Sequence, residues 1–402
     1  MGRRGDEALA CIDCGSLHEP GPGVLVCEKC GGLLEVVYPR SFFKKVSFQG
    51  RGVWRYRSLL PRVDTVVSLN EGGTPFVKAE NLGSKIGLKN LYVKFEGANP
   101  TGSFKDRGMT VGTSVALRFS QKSVACASTG NTSASMAAYA ARAGLKSFVF
   151  LPDGYVAAGK LLQAVAHGAT IVRVRGNFDD ALKMLLSHCT ELGVYVLNSV
   201  NPYRIEGQKT IAFEIWEDLN EVPDFVAYPV GNAANIASGW KGFLELKESG
   251  LSDSLPRMIG VQAEGAAPIA KAFAEGKNEI EPVEKPETVA TAIRIGRPLS
   301  WKKALKAIRD SGGTALTVSD TEILRAQVNL ARAEGIFAEP AGAASVAGIA
   351  KLAKEGFFRK DDIVVAVVTG HGLKDPDVEI EPFAELVIQP GENPVEALRK
   401  LL

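Results

Sequence analysis

The sequence predicts an α/β fold of open parallel sheets clothed by helices, set in two lobes, with a small metal-binding ribbon at the N-terminal end. Three observations carry that prediction. From about Leu91 onward, short β-branched runs alternate with Ala- and Lys-rich amphipathic segments, the pattern of parallel strands joined by crossover helices. Four of the six cysteines form two CxxC pairs within the first 30 positions. The chain of 402 residues is longer than one ordinary domain of roughly 100 to 200 residues and can enclose a pocket between lobes.

Composition removes several function classes. Lys plus Arg number 47 against 45 Asp plus Glu, a net charge of +2, with 46% apolar and 23% charged residues. Nucleic-acid binding across the whole chain needs clustered basic excess, and disorder needs low hydrophobicity with high net charge; the sequence has neither. Every long apolar stretch is broken by Gly, Asn or a charge before the roughly 20 residues of a membrane span. The opening Met-Gly-Arg-Arg-Gly-Asp-Glu turns acidic without an apolar stretch, unlike a secretory signal, so the expected location is the cytoplasm.

In chain order, the ribbon comes first. Cys11-Ile-Asp-Cys14-Gly and Cys27-Glu-Lys-Cys30-Gly-Gly are separated by twelve residues. Two residues between ligands let a tight turn aim both sulfurs at one ion, with Gly15 and Gly31 supplying permissive backbone. A closed four-thiolate site has no open position, so its role is structural, with zinc expected and iron left open. Nucleic-acid binding by the ribbon and a redox dithiol pair are the competing readings. The module is expected over residues 1–40, closed by Pro39. Cys126 and Cys189 stand alone in apolar patterns and read as small buried hydrophobes.

Strands are expected at 91–95, 124–127, 148–151, 170–174, 225–230, 258–263 and 363–368, and helices at 133–144, 156–167, 178–188 and 321–334. The Glu- and Pro-rich stretch 279–288 reads as a surface excursion. Ligands of open α/β sheets bind outside the carboxyl ends of strands, so loops that follow strands are where chemistry belongs.

Four loops fit. In Asn99-Pro-Thr-Gly-Ser-Phe-Lys105-Asp-Arg-Gly108, a lysine stands in the first turn of a helix, whose positive end disfavours ammonium and exposes a neutral, nucleophilic amine. The same residues also suit a surface lysine in a capping segment, with Ser103 as N-cap and Asp106 facing the helix dipole. Ser128-Thr-Gly-Asn131-Thr-Ser crowds hydroxyls and amides at a helix start, where several donors can meet one anion such as an α-carboxylate. Pro229-Val-Gly231-Asn-Ala-Ala-Asn235 is shaped to put backbone N–H groups around a phosphate. Thr369-Gly-His371-Gly-Leu-Lys374 follows the last apolar strand, and His371 reads as a structural turn residue ahead of a proton carrier.

The segment Asn-Pro-Thr-Gly-Ser-Phe-Lys-Asp-Arg-Gly resembles the lysine motif of threonine synthases, within the fold-type II pyridoxal-phosphate enzymes, and the resemblance runs from about Asn70 to Asp375. It implies the fold-type II architecture: two open twisted parallel-sheet domains with the cofactor, pyridoxal 5'-phosphate, between them. Residues 41–98 and 199–402 would form the large cofactor-binding domain and 99–198 a small mobile substrate domain. By this resemblance Lys105 holds the cofactor and moves protons at the substrate α carbon. Arg107 is read as a structural partner of Asp106 or of a neighbouring carbonyl.

The resemblance further implies that Asn131 lies beside the cofactor's 3-oxygen and that Ser128, Thr129, Asn131 and Thr132 hold the substrate, with Thr132 close to the reacting β and γ carbons. Gly231, Asn232, Ala233, Ala234 and Asn235 form the cofactor-phosphate loop, though relatives usually carry Gly where Ala234 stands, which leaves no residue there free to take positive φ. By the same resemblance Thr369 would meet the ring nitrogen. Asn198-Ser199-Val-Asn201-Pro-Tyr-Arg204-Ile-Glu-Gly-Gln-Lys209 resembles the segment that recognises a substrate phosphate, with Arg204 able to fork two hydrogen bonds and Asn198 and Ser199 as neutral donors.

Together these imply conversion of O-phospho-L-homoserine and water to L-threonine and phosphate by a homodimer, with the leaving phosphate as a hypothetical proton carrier. A serine or threonine dehydratase would lack the phosphate cluster; a phosphoserine-dependent sulfhydrylase or cysteate-forming enzyme would diverge at the lysine loop. The non-enzyme alternative is a ribbon-bearing nucleic-acid or regulatory protein on an inactive scaffold. Arg294 reads as structural, Trp54 and Trp240 as packing residues, and Glu264 as a candidate pocket carboxylate.

Overall fold

In the computed structural model, residues 7–153 and 158–375 are described; the N-terminal stretch on which the signal-sequence reading rests lies almost wholly outside them, as does the start of the helix expected at 156–167. Strands β1 (Ala8–Cys11), β2 (Leu17–His18) and β3 (Leu34–Val37) make an antiparallel sheet ordered β2-β1-β3. Alternation along β3 turns Leu34 and Val36 inward, where with Leu9 they join one core cluster containing Val111, Val115 and Tyr139. The ribbon therefore shares a core with the rest of the chain.

The chain then forms β4 (Phe76–Lys78), α1 (Glu80–Ile86) and β5 (Asn90–Phe95) and leaves that sheet through α2 (Lys105–Arg118). A second sheet follows: β6 (Ser123–Ala127), α3 (Asn131–Ala143), β7 (Lys146–Pro152), α4 (Ala158–Ala166), β8 (Thr170–Val174), α5 (Phe178–His188) and β9 (Tyr195–Val196). It is all parallel, in the order β8-β7-β6-β9.

The short helix α6 (Tyr203–Gln208) and α7 (Thr210–Leu219) lead back to the first sheet. That sheet is completed by β10 (Phe225–Pro229), α8 (Ala234–Glu248), β11 (Arg257–Ala263), α9 (Pro268–Ala274), α10 (Trp301–Asp310), β12 (Thr314–Val318), α11 (Asp320–Glu334), α12 (Pro340–Lys354) and β13 (Ile363–Val368). Its order is β12-β11-β10-β13-β5-β4, parallel except for the edge strand β4.

β10 is buried at every residue and β13 at all but its first, as expected of central parallel strands covered on both faces. One face packs against α1, α11 and α12, the other against α7, α8 and α10. Because β10, β13 and β5 are neighbours, the loops leaving their carboxyl ends emerge side by side, and three of the four predicted loops converge for that reason. Among the described residues, no helix is long and apolar enough to cross a membrane.

The sequence pattern finds seven strands within two residues and makes no assignment of the ribbon strands β1, β2 and β3. It misses β4, with three residues, β9, with two, and β12, whose Thr-Ala-Leu-Thr-Val run is half-buried at four of five positions.

An ionic cluster centred on the buried Arg107 fastens α2 in place. Arg107 Nε donates to Glu96 at 2.6 Å, and its terminal nitrogens reach both oxygens of Glu214 at 2.7 Å. Lys94 adds contacts to Glu214 at 2.9 Å and Asp218 at 3.0 Å. Burial opposes ionisation of Glu214, but Arg107 and Lys94 hold its carboxyl well below the usual range. Arg107 is thus structural, but its partners are Glu96 and Glu214. Asp106 turns the other way, accepting from the Thr101 N–H at 2.7 Å and from the hydroxyls of Thr101 at 2.6 Å and Ser135 at 2.5 Å. It ties the 99–105 loop to α3, a more specific task than facing the helix dipole.

Candidate active site

The lysine loop and the loop after β13 are joined through their backbones. Phe104 N–H donates to Thr369 O at 3.0 Å and His371 N–H to Gly102 O at 2.9 Å, with a bridge between Ser103 and Gly370. Ser103 does not cap α2: Phe104 holds the N-cap position without a side-chain bond, and the buried Ser103 hydroxyl has no partner. Lys105 opens the helix with Nζ 4.2 Å from the centroid of the Phe104 ring. Burial lowers its ammonium to about 7, Arg204 pushes the same way, and Glu339 opposes. The neutral amine expected from the sequence is thus accessible, but through burial and a neighbouring cation; the helix end is not the leading cause.

Arg204 sits on α6, which lies against α2. A Cβ on Gly108 would come within 3.0 Å of Arg204 O, and one on Gly207 within 1.7 Å of Arg107 O, so two glycines let the helices approach. The Arg204 side chain is buried, its Nε has no partner, and burial brings the guanidinium down to about 10. A buried cation without a fixed counter-charge is a site built for an anion.

The Ser128–Thr132 turn follows β6 on the second sheet. Gly130 precedes α3, Ser128 Oγ accepts from Gly130 N–H at 3.2 Å, and Ser133 Oγ donates to Gly130 O at 2.8 Å. Ser128, Thr129, Asn131 and Thr132 remain partly accessible. Asn198 is placed differently from expectation. Its amide donates to Ala127 O and accepts from Ala127 N–H, both at 2.9 Å, so it braces the end of β6.

Ser199 Oγ accepts from Asn232 Nδ2 at 2.6 Å, while Asn232 Oδ1 accepts from Leu299 N–H at 2.6 Å. The Asn232 side chain thus fastens its own loop. In that loop the left-handed residue is Ala233, with φ 68° and ψ 0°, and Ala234 is the first residue of α8. Positive φ is therefore taken one residue earlier than the Gly-to-Ala departure at 234 suggests. Asn235 is 5% exposed, and neither polar atom of its side chain has a partner.

Glu339 was not singled out in the sequence. It stands just before α12, accepting from Asn131 Nδ2 at 2.9 Å and from the Thr369 hydroxyl at 3.3 Å. It is buried, which raises its carboxyl, while Asn131, Lys374 and Thr369 pull it down and Asp375 adds to the rise. The available signal was a Glu directly before Pro340: Pro marks the first helical position, and Glu is not among the favoured N-cap residues.

His371 accepts from Leu373 N–H at 3.1 Å, as a turn residue does. Trp54 donates to Thr110 Oγ1 at 2.7 Å, Trp240 is buried in the core, and Arg294 is exposed. Glu264 is exposed in a surface hollow beside β12, lined also by Lys271 and Lys351, and is not part of this crevice.

At the ribbon, the sulfurs of Cys11, Cys14, Cys27 and Cys30 all lie within 4.8 Å of one another. Three pairs are 3.5 to 3.6 Å apart, close to the roughly 3.8 Å that a tetrahedron with bonds of about 2.3 Å requires. Gly15 and Gly31 take φ 70° and 75° at the two knuckles, and His18 Nε2 lies 3.3 Å from Cys27 Sγ. The thiolate set fits zinc.

The family model for "Pyridoxal-phosphate dependent enzyme" matches residues 67–370. The chain is 52% identical over 399 residues to a threonine synthase of Methanosarcina acetivorans, covering 98% of each chain. It is 54% identical over 384 residues to one of Methanocaldococcus jannaschii, covering 93% of this chain and 95% of the other. In fold it is similar to a processed threonine deaminase isoform 2 of Solanum lycopersicum, with TM-score 0.63 and 24% identity over 74% of this chain and 83% of that one.

Proposed function

The chain belongs to the threonine synthases of the pyridoxal-phosphate dependent enzyme family, and on that premise we propose that it converts O-phospho-L-homoserine and water to L-threonine and phosphate. The observation that carries the substrate is Arg204: a buried guanidinium with an unpartnered Nε, close enough to Lys105 to lower its ammonium.

The crevice fits the cofactor. Lys105 offers a neutral amine, Ala233 sets a left-handed turn at the start of α8 with the first N–H groups of that helix unused within it, and the orphaned Asn235 amide supplies further polar atoms. Lys105, Asn131, Gly231 to Asn235 and Thr369 would hold it. When bound, pyridoxal phosphate supplies an electron sink that acidifies the carbon beside the substrate's amino group.

The residues of the chain divide the remaining work. Lys105, close to neutral, takes and returns the α proton. The Ser128–Thr132 turn holds the α-carboxylate with hydroxyls and N–H groups at the start of α3, and Thr132 stands toward the reacting carbons. Arg204 holds the substrate phosphate through elimination, with Ser199 beside it. Asn198 keeps the end of β6, and so the carboxylate turn, in place. Closure of the smaller lobe over the larger excludes water until the β carbon is ready for it. The same reading carries a cytoplasmic homodimer, which sedimentation equilibrium and fractionation would check.

The test is turnover of O-phospho-L-homoserine by the purified protein. Threonine and phosphate in equal amounts, abolished in Lys105→Ala, is the expected result; phosphate without threonine, or no turnover by protein that carries the cofactor's visible absorption, would overturn it. Arg204→Met should raise KM for the phosphorylated substrate by roughly 30-fold or more, the scale of losing one partner of a buried charge pair.

A further inference from the structure

The helix that carries Arg204, α6, has six residues, too few to hold a helical geometry by themselves. The Arg204 side chain adds no anchor at its buried Nε, which has no partner. The backbone that aims the guanidinium is therefore fixed from outside, and two of the fixings come from the N-terminal ribbon. At one, Tyr38, directly after β3, donates its hydroxyl to Glu206 Oε2 at 2.7 Å. At the other, Arg118 at the end of α2 donates to Glu7 Oε1 at 2.5 Å and to the Tyr203 hydroxyl at 3.0 Å. Tyr203 and Glu206 are three positions apart and so share one face of α6, with Arg204 between them in the chain. Glu206 is wholly buried, and Lys209 and Lys241, each at 2.5 Å, hold its carboxyl below the usual range. The Tyr38 hydroxyl thus meets a carboxylate, and the two lysines stand 4.9 and 5.6 Å from the centroid of the Tyr38 ring. Replacing such a network by apolar side chains is often neutral for stability; what it adds at α6 is direction, because hydrogen bonds to charged groups constrain geometry as well as distance.

We propose that the ribbon positions the group that holds the substrate phosphate: Tyr38 and Glu7 fix the place and rotation of α6, and through it the aim of the Arg204 guanidinium. This rests on the function proposed above, in which Arg204 holds that phosphate. A roll of α6 by about 10° carries the head of a long side chain through roughly 1.5 Å, enough to lose one of the two bonds of a guanidinium fork. The ribbon can serve as the reference because it is itself anchored. Leu9, Leu34 and Val36 share a core with α2, and Lys302 and Lys303 on α10 pair with Asp13 at 2.6 Å and Glu35 at 3.4 Å. Lys241 on α8 closes the network by donating to Val36 O at 2.5 Å as well as to Glu206. Tyr38 acts through Glu206, and Glu7 through Arg118 and Tyr203, so both are positioning residues.

The test uses the loaded enzyme with two readouts, steady-state kinetics on O-phospho-L-homoserine and calorimetric titration with inorganic phosphate. Tyr38→Phe keeps the ring beside Lys209 and Lys241 and removes only the hydroxyl. It should raise KM and the phosphate Kd together by about three- to tenfold, the scale of one hydrogen bond, with kcat within about twofold and cofactor content unchanged. In the Arg204→Met background the same substitution should add no further rise, because its effect runs through the guanidinium. A purely structural Tyr38 would lower the melting temperature and, by leaving less folded enzyme, the apparent kcat, while KM and the phosphate Kd stayed in place. Unchanged KM and phosphate Kd in loaded Tyr38→Phe would overturn the proposal, as would a rise of equal size in the Arg204→Met background. If Tyr38→Phe does not fold, Glu7→Gln decides on the same criteria, since it removes the charge behind Arg118 at the other contact. Failure of the underlying reading shows separately, as wild-type protein that forms no threonine or as Arg204→Met with an unchanged KM.

Discussion

Lys105 and Arg204 set two cationic side chains in one crevice: burial first, and then the Arg204 charge, bring the Lys105 ammonium down to about 7. Among the described residues neither side chain forms an ion pair, and Glu339 offsets only part of the Lys105 shift, so the crevice is electrostatically unfinished until anions enter it.

In cofactor-free protein, an amine-reactive acylating reagent should therefore label Lys105 with a midpoint near pH 7, well before the exposed lysines. Arg204→Met should shift that midpoint upward. Peptide mass mapping across pH checks both, and a midpoint unmoved by the substitution would remove Arg204 as a cause.

The same shift couples to stability. The folded value of about 7 lies below the ordinary 10.5, so between these pH values the unfolded chain binds more protons at this position and stability must rise with pH. Below about pH 7 both states are protonated and the full cost of charging the amine persists. Denaturation of cofactor-free wild type and Lys105→Met across this window should show the rise in the wild type and its loss in the variant.

Arg107 is predicted to be essential for folding and indirect in catalysis. Truncation to Ala strands Glu96 and Glu214, both buried, and should cost about 3–5 kcal/mol. Denaturant titration measures it. Arg107→Met paired with Glu214→Gln should recover part of the loss, because the uncompensated charge is what costs most.

Ala233 occupies the left-handed region at φ 68°. Ala233→Gly should leave stability within about 0.5 kcal/mol, since relief of strain and added chain entropy offset each other. Ala233→Val should lose roughly 1–2 kcal/mol and weaken cofactor binding, because a β-branched residue resists that conformation. Equilibrium unfolding and cofactor titration of the two variants decide this, and equal effects would show that the turn is not constrained at 233.

Removal of the ribbon metal should reach beyond the ribbon. Leu9, Leu34 and Val36 share a core with α2, Lys241 donates to Val36 O at 2.5 Å, and Tyr38 donates to Glu206 at 2.7 Å on the helix that carries Arg204. Cys14→Ser with Cys30→Ser should release one zinc per chain and lower the melting temperature by a few degrees for each kcal/mol lost. Metal analysis with calorimetry is the check.

The candidate site loops lie in contiguous stretches of the chain. The cysteine pairs, the Lys105 loop, the Ser128 turn, the Gly231 loop and Thr369 were each legible because turns and helix starts are specified by residues a few positions apart. The alternation of apolar runs likewise determined parallel sheets and most strand positions, because periodicity is local. What tertiary structure decided was pairing. That Arg107 meets Glu96 and Glu214 instead of Asp106, and that Glu339 lies against Asn131 and Thr369, depend on β10, β13 and β5 being neighbours and on glycines at 108, 342 and 370 letting backbones close up; that Asn198 braces Ala127 depends on β9 pairing with β6 in the other sheet. Partners as much as 208 residues apart leave no local pattern, since a buried charge is matched by whatever the packing brings within reach.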